Sequence, residues 1–224
     1  MPSRKTPLVT GEIYHVFNKS IGQLDPFGNE GYPDVFMEMV NYYRSGNCPG
    51  RFSLFKKLPI DTQHNILQDI LSPPLLQIEI LTYCLMPTHF HFLLKQTADD
   101  GISKFIGNLL NSYTRYYNLK EDTLGPIFLP RFKAVAIQSE HQLIHTSRYI
   151  AINPYTAGLV KKVGDIFTYP WSSIQEYLTE EKMCNTSYIL DRYLGNSREQ
   201  YKSFISDRAD YQKSLEFLKR SQYL

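Results

Sequence analysis

Two stretches of the chain alternate hydrophobic and polar positions, and this period of two is typical of β-strands. The first is residues 11–20, GEIYHVFNKS, in which His15 falls on the same side as its apolar second neighbours. The second is residues 84–96, CLMPTHFHFLLKQ, in which His89 and His91 share one side and two phenylalanines occupy the other. One face of this strand can therefore pack against a core while the opposite face carries two imidazoles.

Longer stretches repeat apolar residues every three to four positions, which is the spacing of an amphipathic helix. The strongest covers residues 102–119, and another begins at Asp34, a residue that favours the helix N-cap, and ends in SGNCPG. Further helices are predicted for residues 60–71 and 139–152, and further strands for residues 75–86 and 132–137. Beyond them, Ser172 and Gln175 form a capping-box pattern before a short helix, and the tail from residue 196 is predicted to be helical.

The order of these elements favours an α+β fold. A strand, helices, two strands, a helix, a strand and a helix fit an antiparallel sheet with helices packed on one face better than a doubly wound parallel fold. The 224 residues, of which 42% are hydrophobic, are enough for one well-buried domain or for a domain with an extension.

The cysteines and the apolar runs exclude several classes of protein. The three cysteines are far apart and show no CxxC spacing, so neither a disulfide framework nor a zinc knuckle is predicted. No apolar run approaches the roughly 18 residues of a membrane span, and the first residues lack the apolar core of a signal peptide. We therefore expect a cytoplasmic protein without a membrane partner.

Positive charge is concentrated in the middle of the chain. Residues 101–162 hold eight basic and three acidic side chains, although the whole chain has a net charge of only +2. Arg115, Arg131, Lys133 and Arg148 are interleaved there with aromatic residues, a composition that suits phosphate contacts and base stacking. A solvated surface beside ordinary core aromatics explains the same pattern, because the chain has 17 tyrosines.

The predicted helix 139–152 carries a second set of candidate residues. His145, Tyr149 and Asn153 follow one another at intervals of four, so they lie on one face of the helix. Taken singly, the tyrosine is a packing or surface ring, and an asparagine before Pro154 ends a helix. A His-x-His pair alone is more often two half-buried neighbours than a metal site.

Taken together, these segments resemble the HUH transposases with a single catalytic tyrosine, in particular the branch of REP-associated tyrosine transposases. The resemblance rests on YCLMPTHFHFLLKQ, GISKFIGNLLNSYTRYYN, GPIFLPRFKAV, SRYIAINPYTAGLV and YPWSS, in this order, and covers most of the chain. The His-hydrophobic-His signature is His89, Phe90 and His91. The segment RYIAINP carries the counterpart of the catalytic tyrosine at Tyr149, and Asn153 matches the polar residue one turn later.

The resemblance implies an enzyme that nicks and rejoins single-stranded DNA. Tyr149 would attack a phosphodiester, release a 3′-hydroxyl and become linked to the 5′-phosphate, while His89, His91 and Asn153 would hold Mg²⁺ or Mn²⁺. His145, one turn before the tyrosine, is a candidate for assisting proton transfer or a simple surface histidine. The expected partner is single-stranded DNA, with or without a flanking hairpin.

The resemblance also implies a ferredoxin-like, RRM-like antiparallel sheet. Residues 1–170 would form the HUH catalytic domain, and residues 171–224 a helical C-terminal extension packed on it. Relatives include domain-swapped homodimers and monomers, and the sequence favours neither state.

Two other functions fit the same residues. A catalytically silent regulator would bind single-stranded nucleic acid through the sheet and its basic surface. A metal-dependent phosphodiesterase would use water as its nucleophile and leave Tyr149 with a structural role.

Overall fold

The structure, a computed structural model, describes residues 7–22, 24–179, 183–193, 195, 197–207, 209–210 and 212. Its strands are β1 (Ile13–Lys19), β2 (Ile78–Met86), β3 (His89–Gln96) and β4 (Lys133–Ala136). Its α-helices are α1 (Tyr32–Tyr43), α2 (Phe52–Phe55), α3 (Ile60–Ile70), α4 (Gly101–Glu121), α5 (Glu140–Thr156), α6 (Ile174–Leu178), α7 (Ser187–Tyr193) and α8 (Arg198–Ser206). Short 3₁₀ helices cover Pro73–Leu75 and Val163–Thr168.

The four strands form one antiparallel sheet in the order β2-β3-β1-β4. β1 pairs with β4 so that His15 lies opposite Val135 and Phe17 lies opposite Lys133. β2 and β3 are joined by a turn of only two residues, which is the shortest common connection of antiparallel neighbours. The predicted α+β fold, an antiparallel sheet with helices packed on it, is confirmed.

The first helix begins earlier than its predicted N-cap at Asp34. α1 starts at Tyr32, and Gly31 before it adopts a left-handed conformation with φ 78°. Glycine adopts such angles without steric cost, and Pro33 suits the first turn because its missing N–H has no helical partner there. Asp34 instead lies in the first turn, where a carboxylate interacts favourably with the helix dipole.

The chain folds as two compact units, and the residues of strands β2 and β3 are divided between them. The first unit contains the residues up to 79, with 87–89 and 94–136. Its core is aromatic where α1 packs against α4: the rings of Phe36 and Tyr113 meet edge to face with centroids 4.9 Å apart. The Tyr113 hydroxyl donates to the carbonyl of Pro26 at 2.6 Å, which satisfies a polar group that would be costly to bury unpaired.

The second unit contains residues 80–86, 90–93 and 137–224. In it the segment after residue 170 runs beside β2 and exchanges backbone hydrogen bonds with it. Leu85 N–H donates to the Trp171 carbonyl at 2.8 Å, and Asn185 N–H donates to the Ile80 carbonyl at 2.8 Å. Helices α6, α7 and α8 lie within the predicted helical extension, and its residues from 213 onward lie outside the described residues. The division of the chain at residue 170 stays a prediction.

The predicted capping box at Ser172 and Gln175 is wrong. The residue before α6 is Ser173, and its side chain makes no capping hydrogen bond. Its hydroxyl instead lies 2.6 Å from the Thr82 hydroxyl and accepts from the Tyr83 N–H at 3.0 Å. A contact with β2, distant in sequence, thus takes the place of the local cap. None of the described helices is both long and apolar enough to cross a bilayer.

Candidate active site

Strand β3 carries the two predicted imidazole ligands. His89 is its first residue, half-buried, with Nδ1 3.0 Å from the Thr88 hydroxyl. His91 follows two residues later and is 6% exposed. The phenylalanines that alternate with them are completely buried, as the period-two pattern predicts. His89 belongs to the first unit and His91 to the second.

Helix α5 brings the predicted nucleophile to His91 within the second unit. The Tyr149 ring meets the His91 ring edge to face, with the centroids 5.8 Å apart and the planes at 89°. Tyr149 is half-buried, so part of its side chain still reaches solvent. The Tyr149 phenol thus lies beside the His91 imidazole and is still partly exposed. This arrangement can bring a nucleophile and a metal ligand to the same substrate.

The third predicted ligand, Asn153, is buried with an unsatisfied amide. It is 6% exposed, and its Nδ2 has no hydrogen-bond partner in the described part of the chain. The nitrogen and the oxygen of an amide exchange places when the group is turned by half a rotation, so the unsatisfied atom is equally well the oxygen. A buried amide oxygen without a partner fits a ligand of a hard divalent cation.

The described residues do not form a metal site made only of His, Cys, Asp and Glu side chains. No three His, Cys, Asp or Glu side chains cluster at metal-binding distance among the described residues. The predicted ligands among the described residues are instead two imidazoles and the side-chain oxygen of Asn153, a residue outside those four types. Helix α5 continues through Pro154 to Thr156, beyond the predicted end at residue 152, so Asn153 lies within the helix.

His145 and Arg148 are linked one turn before the tyrosine. Arg148 Nη2 lies 2.8 Å from Nδ1 of His145. A guanidinium can only donate, so Nδ1 must be the acceptor, and the proton of the neutral ring lies on Nε2. The remaining nitrogen of His145 is therefore a hydrogen-bond donor rather than the lone pair of a base.

Arg148 is buried against helix α8. The residue is 4% exposed, its Nη1 lies 3.5 Å from the Phe204 carbonyl, and its guanidinium carbon lies 4.6 Å from the Phe204 ring centroid. Asp207 is 3.9 Å away. This burial leaves the contact with DNA predicted for Arg148 without geometric support. The three-residue spacing of His145 and Arg148 is the sequence feature that could have indicated their link.

The remaining predicted DNA contacts lie on the first unit and are exposed. Arg115 projects from the middle of α4, Arg131 precedes β4, and Lys133 begins that strand. The Lys133 Nζ is 6.0 Å from the centroid of the Phe17 ring on β1, so a cation and an aromatic ring stand side by side on these strands. Because these three basic side chains are exposed, a phosphate backbone could contact them.

His15 lies beside Phe17 on the same strand. Their ring centroids are 4.9 Å apart, and His15 is half-buried. Burial lowers the pKa of His15 to about 4, because an imidazolium loses hydration inside the protein. The ring is therefore neutral at physiological pH and contributes to packing.

The geometry can be compared with known proteins. Residues 50–153, which include His89, His91, Tyr149 and Asn153, match the family model described as "Transposase IS200 like". The fold is similar to that of a solved REP-associated tyrosine transposase bound to a REP hairpin. The two chains are 17% identical over 79% of this chain and 84% of that chain, with a TM-score of 0.50.

A second solved structure, described as "a putative transposase" from Deinococcus radiodurans, is also 17% identical. The match covers 66% of this chain and 95% of that chain, with a TM-score of 0.36. No curated protein matches the sequence.

Proposed function

We propose that the chain is an IS200-like transposase that nicks and rejoins single-stranded DNA through a covalent 5′-phosphotyrosine. The support is the match of residues 50–153 to that family's model together with the geometry of the site. The observation that carries the proposal is the edge-to-face contact of Tyr149 with His91, one helical turn before the buried amide of Asn153. A nucleophile, an imidazole ligand and an oxygen ligand come from two elements of the same unit.

Tyr149 is the proposed nucleophile. Its Oη would form a bond to the phosphorus of a DNA phosphodiester, the bond from phosphorus to the 3′ oxygen would break, and the phenol proton would pass to solvent. The departing 3′ oxygen would take up a proton from solvent, and His145 is a candidate for assisting this transfer. Attack by another 3′-hydroxyl on the same phosphorus would restore the tyrosine, so rejoining needs no nucleotide cofactor.

His89, His91 and Asn153 would hold Mg²⁺ or Mn²⁺. The support for this assignment is the unsatisfied amide of Asn153 together with an imidazole that is largely removed from water. Two nitrogens and one oxygen leave coordination positions open for phosphate oxygens. A bound ion would draw electron density from the scissile phosphate and stabilise the charge of the transition state.

Exposed basic residues of the first unit would guide the DNA. Arg115, Arg131 and Lys133 are accessible, and no described carboxylate forms an ion pair with them. Their contacts with phosphates would be independent of base sequence and would weaken with added salt. The partner would be single-stranded DNA next to a hairpin, bound by a monomer or by a homodimer.

The direct test is detection of the covalent product. The protein is incubated with a single-stranded oligonucleotide and Mn²⁺, and peptides are analysed by mass spectrometry for a nucleotide on Tyr149. Tyr155→Phe is the matched control, because it removes a hydroxyl from the same helix. We expect an adduct with the unmodified chain and with Tyr155→Phe, and none with Tyr149→Phe.

Two outcomes would reject the proposal. Cleaved DNA with free 5′-phosphate ends and no adduct would indicate hydrolysis by water. Tight binding of intact DNA, with neither cleavage nor adduct at any metal concentration, would indicate a binding module.

A further inference from the structure

Two adjoining cavities lie within the first unit, and the proposed reaction uses neither of them. The first, called here the apolar cavity, has a volume of about 450 Å³. It is lined by residues of three helices, and its apolar walls are Val35 and Met39 of α1, Phe52 of α2, and Tyr116 and Leu119 of α4. Small-molecule sites have volumes of roughly 300–1,000 Å³ and mostly apolar walls, so this cavity has the size and lining of a ligand site.

The second, called here the polar cavity, has a volume of about 430 Å³. It lies between the loop that joins α1 to α2 and the first half of α4, from which Lys104 and Asn108 line it. None of the described residues in its wall is an aspartate or a glutamate. Arg51, Ser112 and Arg115 line both cavities, so these three residues mark the junction between them.

The junction is positively charged. In the described part of the chain, no carboxylate forms an ion pair with Arg51, Arg115 or Lys104. The carboxylate that lines the apolar cavity, Glu38, is paired with Lys56 at 2.9 Å, so its charge is already balanced. Guanidinium and ammonium groups in this situation favour an anionic ligand, and phosphate is the anion that arginine binds best through two parallel hydrogen bonds.

Hydrogen bonds between helices hold the walls of the apolar cavity in place. The Phe52 N–H donates to the Tyr43 hydroxyl at 3.0 Å, and this hydroxyl lies 2.7 Å from Oγ of Ser112. One tyrosine of α1 thus connects the start of α2 with the middle of α4. Since the cavity is formed without a ligand, binding would require little additional ordering of the protein.

We propose that the two cavities bind a free purine nucleoside triphosphate. The base would occupy the apolar cavity, where Phe52 and Tyr116 supply the aromatic rings on which bases stack. The phosphates would lie beside Arg51 and Arg115 and extend towards Lys104 in the polar cavity. The order of an apolar, a cationic and a polar region matches the order of groups along a nucleotide.

The number of cations favours a free nucleotide over a nucleotide within a DNA strand. A strand carries one phosphate charge for each base. Here three cations, Arg51, Arg115 and Lys104, accompany a single apolar cavity, which suits a ligand with several phosphates on one base. Because the proposed reaction needs no nucleotide cofactor, the ligand would act as an effector and not as a reactant. The inference therefore does not depend on the proposed function.

The test is isothermal titration calorimetry of the full chain with the mono-, di- and triphosphates of adenosine and guanosine, and with inorganic tripolyphosphate. A chelator is present, so that binding through a metal ion at the candidate active site is excluded. Arg51→Ala removes a cation from the junction, and Lys104→Ala removes one from the polar cavity. Lys57→Ala is the matched control, because Lys57 is exposed on the same segment as Arg51 and lines neither cavity.

We expect affinity to increase from the monophosphate to the triphosphate of at least one purine. That triphosphate should bind at least about tenfold more tightly than tripolyphosphate, because only the nucleotide fills the apolar cavity. Arg51→Ala should weaken its binding about tenfold, which is about 1.4 kcal/mol. Lys104→Ala should remove the gain from the added phosphates and leave the monophosphate almost unchanged. Lys57→Ala should change each Kd by less than about twofold.

Three results would overturn this inference. Equal affinity for tripolyphosphate and the triphosphates would show a site for charge alone, and equal weakening by Lys57→Ala and Arg51→Ala would place the ligand elsewhere. Absence of binding by both purine series at millimolar concentration would reject a free nucleotide, and weaker binding of a single-stranded oligonucleotide by Arg51→Ala in that case would assign the cavities to the DNA strand. Adduct formation at Tyr149 is scored without free nucleotide, so it succeeds or fails separately.

Discussion

The Tyr149 ring stands perpendicular to the His91 ring, with the centroids 5.8 Å apart, inside one compact unit of one chain. The two residues are separated by almost sixty positions in the sequence. Packing of α5 beside the middle of β3 brings them together, and no second copy of the chain is required for this contact.

Replacing His91 by alanine should abolish metal-dependent adduct formation. Loss of a ligand to the ion should lower the rate by about a hundredfold or more, and added Mn²⁺ should restore little of it. Binding of single-stranded DNA should persist, because the exposed basic residues are unchanged. Adduct yield is measured against Mn²⁺ concentration, with the exposed His141→Ala on α5 as control. Equal metal dependence in His91→Ala and the unmodified chain would exclude His91 as a ligand.

Replacing Arg148 by methionine should destabilise the fold and release His145. The variant keeps much of the apolar side chain but loses the donor to Nδ1 and the contacts with Phe204 and Asp207. We expect a loss of about 1–3 kcal/mol in the free energy of unfolding, measured with urea. The exposed Arg115→Met should cost less than about 0.5 kcal/mol.

The same variant tests the tautomer of His145. The ¹⁵N NMR spectrum of the unmodified chain should show a bare Nδ1 and a protonated Nε2 for this residue. In Arg148→Met the preference should weaken, because the guanidinium no longer fixes the ring. A protonated Nδ1 in the unmodified chain would contradict the observed hydrogen bond. A strong loss of DNA affinity in a folded Arg148→Met would support the direct DNA contact predicted from the sequence.

Removing the hydroxyl group should have different effects on the free energy of unfolding at two stacked tyrosines. Tyr177 and Tyr201 lie nearly parallel, with ring centroids 4.3 Å apart, and both are completely buried. The Tyr177 hydroxyl donates to the Leu81 carbonyl at 2.6 Å, whereas the Tyr201 hydroxyl has no partner in the described part of the chain.

Tyr177→Phe should therefore destabilise the protein by about 1 kcal/mol, and Tyr201→Phe should be neutral or stabilising by up to about 1 kcal/mol. Urea unfolding of both variants provides the comparison, and the rings remain in place in each. A clear destabilisation by Tyr201→Phe would show that its hydroxyl has a partner.

His15 should make the fold sensitive to acid. Its pKa is about 4 in the folded chain and near 6.5 in the unfolded chain, so the unfolded state binds the proton first as the pH falls. Stability should be retained above about pH 6.5 and should decrease between about pH 6.5 and 4. By pH 5 the loss should be on the order of 1 kcal/mol, allowing for the partial exposure of the ring.

The measurement is urea unfolding at pH 7, 6 and 5 with a chelator present, so that bound metal does not contribute. His15→Gln cannot titrate and should show a smaller decrease over the same range. Lys133 lies across from Phe17, and Lys133→Ala tests whether its charge contributes to the difference. An identical pH dependence with glutamine at position 15 would contradict the assignment.

Local patterns predicted the elements that carry the site. The apolar repeat of residues 102–119 corresponds to α4, and strand alternation placed His89 and His91 on one face. The quoted motifs predicted a resemblance to transposases, and residues 50–153 match the model of the IS200-like transposase family. In each case the information lies within a few turns or strand residues, where side-chain periodicity is fixed by the backbone.

Contacts between distant segments could not be predicted in this way. The environment of Arg148 depends on Phe204, 56 residues later, and Ser173 bonds to Thr82 rather than capping α6. Such pairings follow from tertiary packing, which a single sequence does not specify. The roles of Tyr149, the metal ligands and the basic residues stay predictions until the adduct and metal experiments are done.

Pro154 has a mechanical consequence for the helix that bears the tyrosine. Proline has no N–H, so the carbonyl of Ile150 receives no hydrogen bond from position 154 within the turn that separates Tyr149 from Asn153. A helical turn that lacks this bond is softer to bending than a regular one. Tyr149 and Asn153 can therefore tilt slightly relative to each other. In the proposed reaction, this flexibility would let the phenol follow a moving phosphate while the amide stays bound to the metal ion.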